Sequence, residues 1–462
     1  MSTARLTTPL GLFSATGLVI SSMIGSGVFI TSGFLANDLD PAAILLSWLL
    51  GGLLAACGAI CYSAVAAHIP QSGGEYRYLH DLYHPMAGYL AGWVLLIFGF
   101  AAPMALAAMA AGAYAEVLTG RAIAMPVGLL VLLAVGAVQA GGLTWGERVQ
   151  NIGVLLKLGI ILLFLAGALF SGIIEPLRAM PTMQTLGAIT SVPFATAQNY
   201  VGFAFTGWSM TVYLASRVKD PVKNVPRAMF LGLGSVTLLY MLLNFVFVTT
   251  LSPTELQQAT QSEGGALTLG HLVAVRLLGD IGGRLASGMI VMILVSVIIA
   301  MTMAGPWIAD AMARDRYLPS GARWREGRWG GAGPVGLLVG MAVLLLLSNT
   351  FEIMLNAVGV TLALFGALST SAVLKIKGKA ISKGLLLALA VNLLGVIWSV
   401  TGSLIAFPIA LLWPHRLPDC ATLDRPDPGR GHDRLLCNGP LAPRHRRRSS
   451  RACTLRERRF LR

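Results

Sequence analysis

Two short stretches of this chain place residues able to hold an ionic ligand inside otherwise apolar sequence. The first is Ser22-Met23-Ile24-Gly25-Ser26-Gly27-Val28-Phe29, where two glycines flank a serine halfway along a hydrophobic run. Glycine disfavours helix by about 1 kcal/mol per residue, so the pair invites local unwinding. Unwinding within lipid strips N–H and C=O groups of their partners and is tolerated only where a polar ligand or cavity receives them. The amides that open the second half-helix carry positive dipole character, which suits a carboxylate. Close helix packing is the competing reading of the same glycines.

The second stretch, Phe203-Ala204-Phe205-Thr206-Gly207-Trp208-Ser209, lies five hydrophobic spans later. Interruptions at corresponding helices of two five-span halves point to a substrate site near the membrane midplane. The amides of Ser26 and Gly27 would take a carboxylate, and the carbonyls of Met23, Phe203 and Thr206 an ammonium group. An α-amino acid satisfies both ends. Ile24, Gly25 and Ala204 complete the expected substrate-binding set, Phe203 is the expected gate over it, and Trp208 a gating or packing ring. Both rings also fit a plain role in apolar packing. Lys157, within Ile152-Gly153-Val154-Leu155-Leu156-Lys157-Leu158-Gly159, is the one basic residue well inside a span. It lies ~12–14 Å along its helix at 1.5 Å per residue, too deep for easy snorkelling, so it should face a cavity or a partner.

The elements that must position these residues follow from composition. Of 462 residues, 55% are hydrophobic and 12% charged, and the mean hydropathy is +0.73, which excludes a water-soluble fold. Apolar runs long enough to cross a ~30 Å hydrocarbon core recur along the chain. They predict spans near residues 10–35, 42–67, 86–117, 123–140, 149–171, 193–214, 228–250, 285–312, 334–349, 352–374 and 383–403, with a partial twelfth at 404–413. The expectation is an all-α polytopic membrane protein, with a transmembrane domain over 1–414. The first span is expected to be structural, not a cleaved signal peptide.

With the N-terminus inside, inward-facing segments hold 16 of the 21 basic residues of residues 1–414, outward-facing ones hold Arg121, Arg178, Arg276 and Arg284, and Lys157 lies within a span. Basic loops stay cytoplasmic, so the pattern favours that orientation. The net charge of +14 divides into +6 for this region and +8 for residues 415–462, where 13 arginines face five acids. That tail has no apolar run and is expected to be disordered. Its composition fits a basic arm on anionic lipid or a shifted reading frame, the latter favoured. The charge is not gathered on one surface, so nucleic acid is not an expected partner.

The segments GSGVF (25–29), Pro70-Gln71-Ser72-Gly73-Gly74-Glu75-Tyr76, FAFTGW (203–208), Lys219-Asp220-Pro221-Val222-Lys223-Asn224-Val225-Pro226 and Arg314-Asp315-Arg316-Tyr317-Leu318-Pro319 together resemble the amino acid–polyamine–organocation transporter family, in particular L-type exchangers and bacterial amino acid permeases. The resemblance implies a LeuT-type fold with two inverted five-helix repeats, about 10–171 and 193–374, discontinuous first and sixth helices, peripheral helices over 383–413, and alternating access to a central site. It also implies that Lys157 stands where sodium-coupled relatives hold a cation, touching freed carbonyls near Ile24 or the hydroxyls of Ser296 or Thr302. Transport would then be sodium-independent. Exchange around a fixed charge and proton coupling through the lysine both remain open.

A cationic substrate would need an acid in the pocket. None lies between Gly92 and Tyr114, Glu352 is at the outer mouth, and Asp310 is at the end of its span. A neutral L-amino acid is the expected substrate; a cationic amino acid or polyamine antiporter and a non-transporting sensor are the alternatives. The family commonly carries an acidic pair where this chain reads Ala215-Ser216-Arg217-Val218, which puts the bracing of the inward gate in question. No cysteine lies near Arg121, so a disulfide-linked glycoprotein partner is not expected. His68, His80, His84 and His271 sit at span ends or in loops, and no metal, cofactor or catalytic constellation emerges; an enzyme is not expected. The expected surroundings are the plasma membrane and its lipid, with protons as a possible co-substrate.

Overall fold

In the computed structural model the described residues are 9–140, 147–252, 254–256, 268–318, 332–348, 350–376 and 381–406, with side chains of 147–152 excepted. Expectations for the last part of the 404–413 segment and for 415–462 lie outside them. The helices, in chain order, are α1 Leu12–Met23, α2 Ser26–Leu35, α3 Pro41–His68, α4 Glu75–Leu82, α5 Pro85–Val94, α6 Ala102–Thr119, α7 Ala124–Ala140, α8 Glu147–Phe170 and α9 Met183–Ala188. They continue with α10 Val192–Phe205, α11 Met210–Tyr213, α12 Pro221–Thr250, α13 Leu269–Arg314, α14 Ala332–Ser348, α15 Phe351–Ser371 and α16 Lys383–Ala406. Among the described residues there is no named strand, only a single bridge between Leu10 and Val218.

Among the described residues eight helical stretches are long and apolar enough to cross a membrane: Leu12–Leu35, Pro41–His68, Pro85–Thr119, Gly153–Phe170, Pro221–Thr250, Leu269–Arg314, Phe351–Lys375 and Lys383–Ala406. The protein is an all-α polytopic membrane protein. α7 and α14, 17 residues each, are shorter apolar helices. The predicted span 193–214 is divided: α10 ends at Phe205, and four turn residues precede the four-residue α11. α13 is kinked at Gly279 (φ 69°), a left-handed conformation that glycine adopts without a Cβ penalty, and the predicted span 285–312 lies in the limb after the kink, residues 280–314.

Local chemistry explains the boundaries. Proline opens α3, α5 and α12 near their first turns, where its missing N–H costs nothing. The hydroxyl of Ser191 caps α10 by accepting the Phe194 N–H at 3.3 Å. α5 and α6 are joined by one stretch of π-helix, Leu95–Ala101, just ahead of Pro103, which has no N–H to donate. In α6 the side chains of Ala105, Ala107, Ala108, Ala110 and Ala111 are all fully buried, and their small size lets α6 lie close against α13.

Burial in a bundle without water leaves polar groups dependent on one another. The Trp48 indole N–H donates to Ser32 Oγ at 2.9 Å, the Ser32 hydroxyl donates to Asn244 Oδ1, and Asn244 Nδ2 donates to the Tyr240 carbonyl at 2.8 Å. This chain ties α2, α3 and α12 beneath the first helix break. Trp48→Phe keeps most of the ring packing and removes the donor. It is expected to destabilise the detergent-solubilised protein by about 1–3 kcal/mol, read as a lowered Tm.

Candidate functional site

The two glycine-containing segments are breaks that lie against each other. α1 ends at Met23, Ile24 and Gly25 are extended (Gly25 φ −147°, ψ −152°), and α2 begins at Ser26. In the second break Thr206 is extended (ψ 150°) and Gly207 takes φ 102°, a region side-chain-bearing residues rarely adopt. A Cβ on Gly27 would lie 2.6 Å from Ala204 Cα, and one on Gly207 would lie 2.8 Å from the Ser22 carbonyl carbon. These glycines bring the backbones of the two breaks into contact.

Tyr240 on α12 backs both. Its hydroxyl oxygen is 2.5 Å from the Met23 carbonyl and 3.0 Å from the Ala204 carbonyl. Edge-on contacts with Trp48 and Phe205, centroids 5.2 and 5.3 Å apart, hold the ring. The Met23 carbonyl is therefore engaged by protein in this conformation. So is that of Phe203, which accepts the Thr206 N–H at 2.9 Å and the Thr206 hydroxyl at 2.6 Å. Of the three carbonyls expected to meet an ammonium group, these two are already taken. The first amides of the ten-residue α2, from Ser26 onward, face the break without an intrahelical acceptor and without a side-chain cap.

Lys157 is 3% exposed, and its ammonium reaches the first break: 3.1 Å to the Ser21 carbonyl, 3.3 Å to Ser21 Oγ and 3.5 Å to the Ile24 carbonyl. Ser296 and Thr302 are not among its partners. The Thr302 hydroxyl bonds back to the Ile298 carbonyl at 2.9 Å, on its own helix, and the Ser296 hydroxyl oxygen is buried without a partner. Back-bonding uses the Thr302 proton within its own helix and leaves its oxygen as an acceptor, which Lys157 does not reach here. The sequence reading missed Ser21 and Tyr240. Ser21 directly precedes the segment singled out, and a tyrosine hydroxyl deep in an apolar span is itself a request for a partner.

Phe203 is buried, and Trp208 packs edge-on against Tyr62 with centroids 4.8 Å apart. Phe203, Thr206 and Trp208 line a cavity of about 150 Å³ that extends to α3, α15 and α16. Met23, Ile24, Gly25, Ser26, Gly27 and Ala204 do not line it; Gly27 and Ala204 meet across the breaks, while Gly25 packs against Val297. Among the described residues no three His, Cys, Asp or Glu side chains come together as a metal site.

The end of the bundle carrying Leu10 is closed by a second set of contacts. Leu10 N–H donates to the Arg217 carbonyl at 2.8 Å, and Lys219 N–H to the Leu10 carbonyl at 2.9 Å. Ser72 and Ser216 hydroxyls are 2.7 Å apart, and Tyr76 donates to Asp315 at 2.5 Å beside the Arg77–Asp315 ion pair at 3.4 Å. The Ser72–Ser216 pair and the Leu10 bridge brace the loop at the position where an acid was expected and is absent. Glu75, in α4 outside the spanning helices, is buried and accepts the Tyr62 hydroxyl at 3.0 Å. Burial raises its pKa above the ordinary 4.5, against the opposing pull of its hydrogen bonds.

Residues 10–419 match the family model described as "Amino acid permease". A serine/threonine exchanger of Bacillus subtilis (strain 168) is 32% identical over 313 residues, 67% of this chain and 69% of that protein. The mouse large neutral amino acids transporter small subunit 2 is 32% identical over 275 residues, 57% of this chain and 51% of that protein. The mouse Asc-type amino acid transporter 1 is 30% identical over 295 residues, 60% of this chain and 56% of that protein. The chain thus aligns with about half the length of these mouse proteins.

Two outcomes follow from this geometry. Gly27→Ala places a methyl group against the Ala204 backbone, which cannot rotate away, and is expected to cost about 1–3 kcal/mol, read as a lowered Tm. Because the folded pKa of Glu75 is raised, the packed state binds more protons than the unfolded chain above pH 4.5. Its contribution to stability is complete below the ordinary value and is lost as pH rises through the raised one. Melting profiles against pH should therefore show a decline above 4.5 that Glu75→Gln flattens.

Proposed function

This chain belongs to the amino acid permease family, and from that premise we propose that it carries neutral L-amino acids across the plasma membrane by alternating access, as a sodium-independent exchanger. The observation that carries this reading is the meeting of two broken helices backed by one buried lysine. The Ser26 and Gly27 amides would hold the substrate carboxylate at the dipole end of α2. Thr206, with the neighbouring carbonyls once Tyr240 and the Thr206 hydroxyl give way, would hold the ammonium group. Phe203 and Trp208 would close over the bound molecule. The named substrates of the relatives, large neutral amino acids and serine or threonine, agree with a pocket whose lining among the described residues holds no acid.

The proposed arrangement is the LeuT-type pair of inverted repeats, about 10–171 and 193–374, followed by peripheral helices, with eleven full spans, a partial twelfth and the N-terminus inside. α1 with α2, and α10 with α11, are then the equivalent discontinuous helices. The contacts of Leu10, Ser72, Tyr76 and Arg77 become the closed cytoplasmic gate. Lys157 has three ammonium donors and three oxygen acceptors at the end of α1 and in the first break, which supports a fixed charge in place of a sodium ion over a proton carrier.

The test is uptake of labelled L-serine and L-leucine into proteoliposomes, with and without unlabelled internal amino acid, with sodium replaced by choline, and with an imposed proton gradient. Exchange predicts flux only with internal substrate, indifferent to sodium, and a fall of at least about tenfold in Lys157→Ala, which leaves the Ser21 and Ile24 carbonyls without a donor. Gradient-driven flux into empty vesicles would replace exchange by proton coupling. Ligand binding without flux would replace transport by sensing.

A further inference from the structure

The end of the bundle that carries Leu10 encloses a carboxyl group that the proposed transport cycle leaves unused. Glu75, the first residue of α4, is 8% exposed; its Oε1 accepts the Tyr62 hydroxyl of α3 at 3.0 Å, and its Oε2 is buried without a hydrogen bond. Tyr213 of α11 approaches the same carboxyl, and its ring lies so close over Gly74 that a Cβ there would collide with it. Tyr78 of α4 is the third ring around the group, its hydroxyl oxygen buried and unpartnered. Among the described residues no cation reaches Glu75. Arg77 turns to Asp81 at 3.6 Å and to Asp315 at 3.4 Å, His80 turns to Asp81 at 2.8 Å, and Lys375, after α15, lies 5.5 Å from the centre of the Tyr83 ring. Tyr89 of α5 packs against Tyr317 instead, with centroids 5.3 Å apart.

A buried carboxylate with one side-chain hydrogen bond and no counter-charge is costly, whereas the neutral acid loses far less on burial. Burial accordingly holds the Glu75 pKa above 4.5, despite the downward pull of its own backbone N–H and of the Tyr213 and Tyr62 hydroxyls. The three rings belong to elements that need not move together. Tyr62 and Tyr78 sit on α3 and α4, while Tyr213 is on the far half of the second broken helix. Withdrawal of α11 from Gly74 would let water reach the carboxyl and take its proton. We propose that Glu75 is a proton-binding site whose proton holds this end of the bundle shut and is released to water as α11 withdraws. Calling that end a gate rests on the transport reading; its opening as a structural event does not. The proton leaves and returns on one side of the membrane, so the site senses pH there and carries no proton across, in keeping with exchange around a fixed charge on Lys157. Between the ordinary and the raised pKa each opening releases one proton, and the opening constant then grows by up to about tenfold per pH unit.

The experiment uses the full chain in lipid nanodiscs with two variants, Glu75→Gln, which is neutral at every pH, and Tyr62→Phe. Amide deuterium exchange is followed at Leu10 and Lys219, whose N–H groups bond across this end at 2.8 and 2.9 Å. Dividing the parental rate by that of Glu75→Gln at each pH cancels both the amide chemistry and the titration of Asp81, His80 and Asp315. The ratio is expected to rise above pH 4.5 by up to about tenfold per unit and then to level off. Tyr62→Phe removes a hydrogen bond that pulls the pKa down, so its profile should level off at a higher pH. A merely structural loss of that contact would speed exchange at every pH and leave the levelling point where it was. If Glu75→Gln does not fold, the displacement of the Tyr62→Phe profile from the parental one decides alone. A ratio that stays flat from pH 4.5 into the alkaline range, or a Tyr62→Phe profile that levels off at the parental pH, overturns the proposal. The flux assay tests the transport reading separately: absence of flux removes that reading and leaves the amide profiles to decide the proton site.

Discussion

A broken helix in a hydrocarbon layer leaves backbone groups that water cannot reach, and everything near the centre of this protein answers that constraint. The first break is closed by three different groups. Lys157 covers the carbonyls of Ser21 and Ile24, Tyr240 covers that of Met23, and Ala204 fills the space that Gly27 leaves. None of these belongs to the broken helix itself. The interruption persists because α8, α10 and α12 supply what α1 and α2 lack, and this makes it a point where the whole bundle senses any change in one helix.

The same logic explains why the polar residues of the core occur as connected sets. Trp48, Ser32 and Asn244 run from α3 through α2 to α12, and Asn244 ends on the carbonyl of Tyr240, the residue that spans both breaks. A displacement of Tyr240 would be felt at Trp48 through both the hydrogen bonds and the ring contact. At the Leu10 end the bracing is of another kind. Short, half-exposed contacts between loops and α4 can separate without leaving a deeply buried charge unpaired.

Much of this was legible in the chain before any coordinates. The hydropathy runs gave the long helices, because lipid demands about 20 apolar residues whatever the packing. Both breaks were legible because glycine beside a small polar residue in an apolar run has few structural uses. Lys157 stood out by the cost of burying charge. What could not be read was direction. Thr302 and Ser296 share a helix with residues near the core, yet a hydroxyl that bonds its own helix is indistinguishable in sequence from one that reaches across. The kink at Gly279 was hidden among many glycines that do no more than pack. The Ser72–Ser216 pair joins residues 144 apart, and no local pattern announces it.

The bond from Tyr240 to the Met23 carbonyl spans 217 residues of chain. At a synthesis rate of about 5–20 residues per second, roughly 10 to 40 s separate the emergence of the first break from that of the tyrosine that covers it. During that interval α3, α8 and α10 emerge with Trp48, Lys157 and Ala204, but the Met23 carbonyl still lacks the tyrosine that covers it. The contacts of the first break are therefore completed in chain order, by Lys157, then Ala204, then Tyr240. The centre of the molecule is thus written first and completed only when a residue 217 positions later arrives.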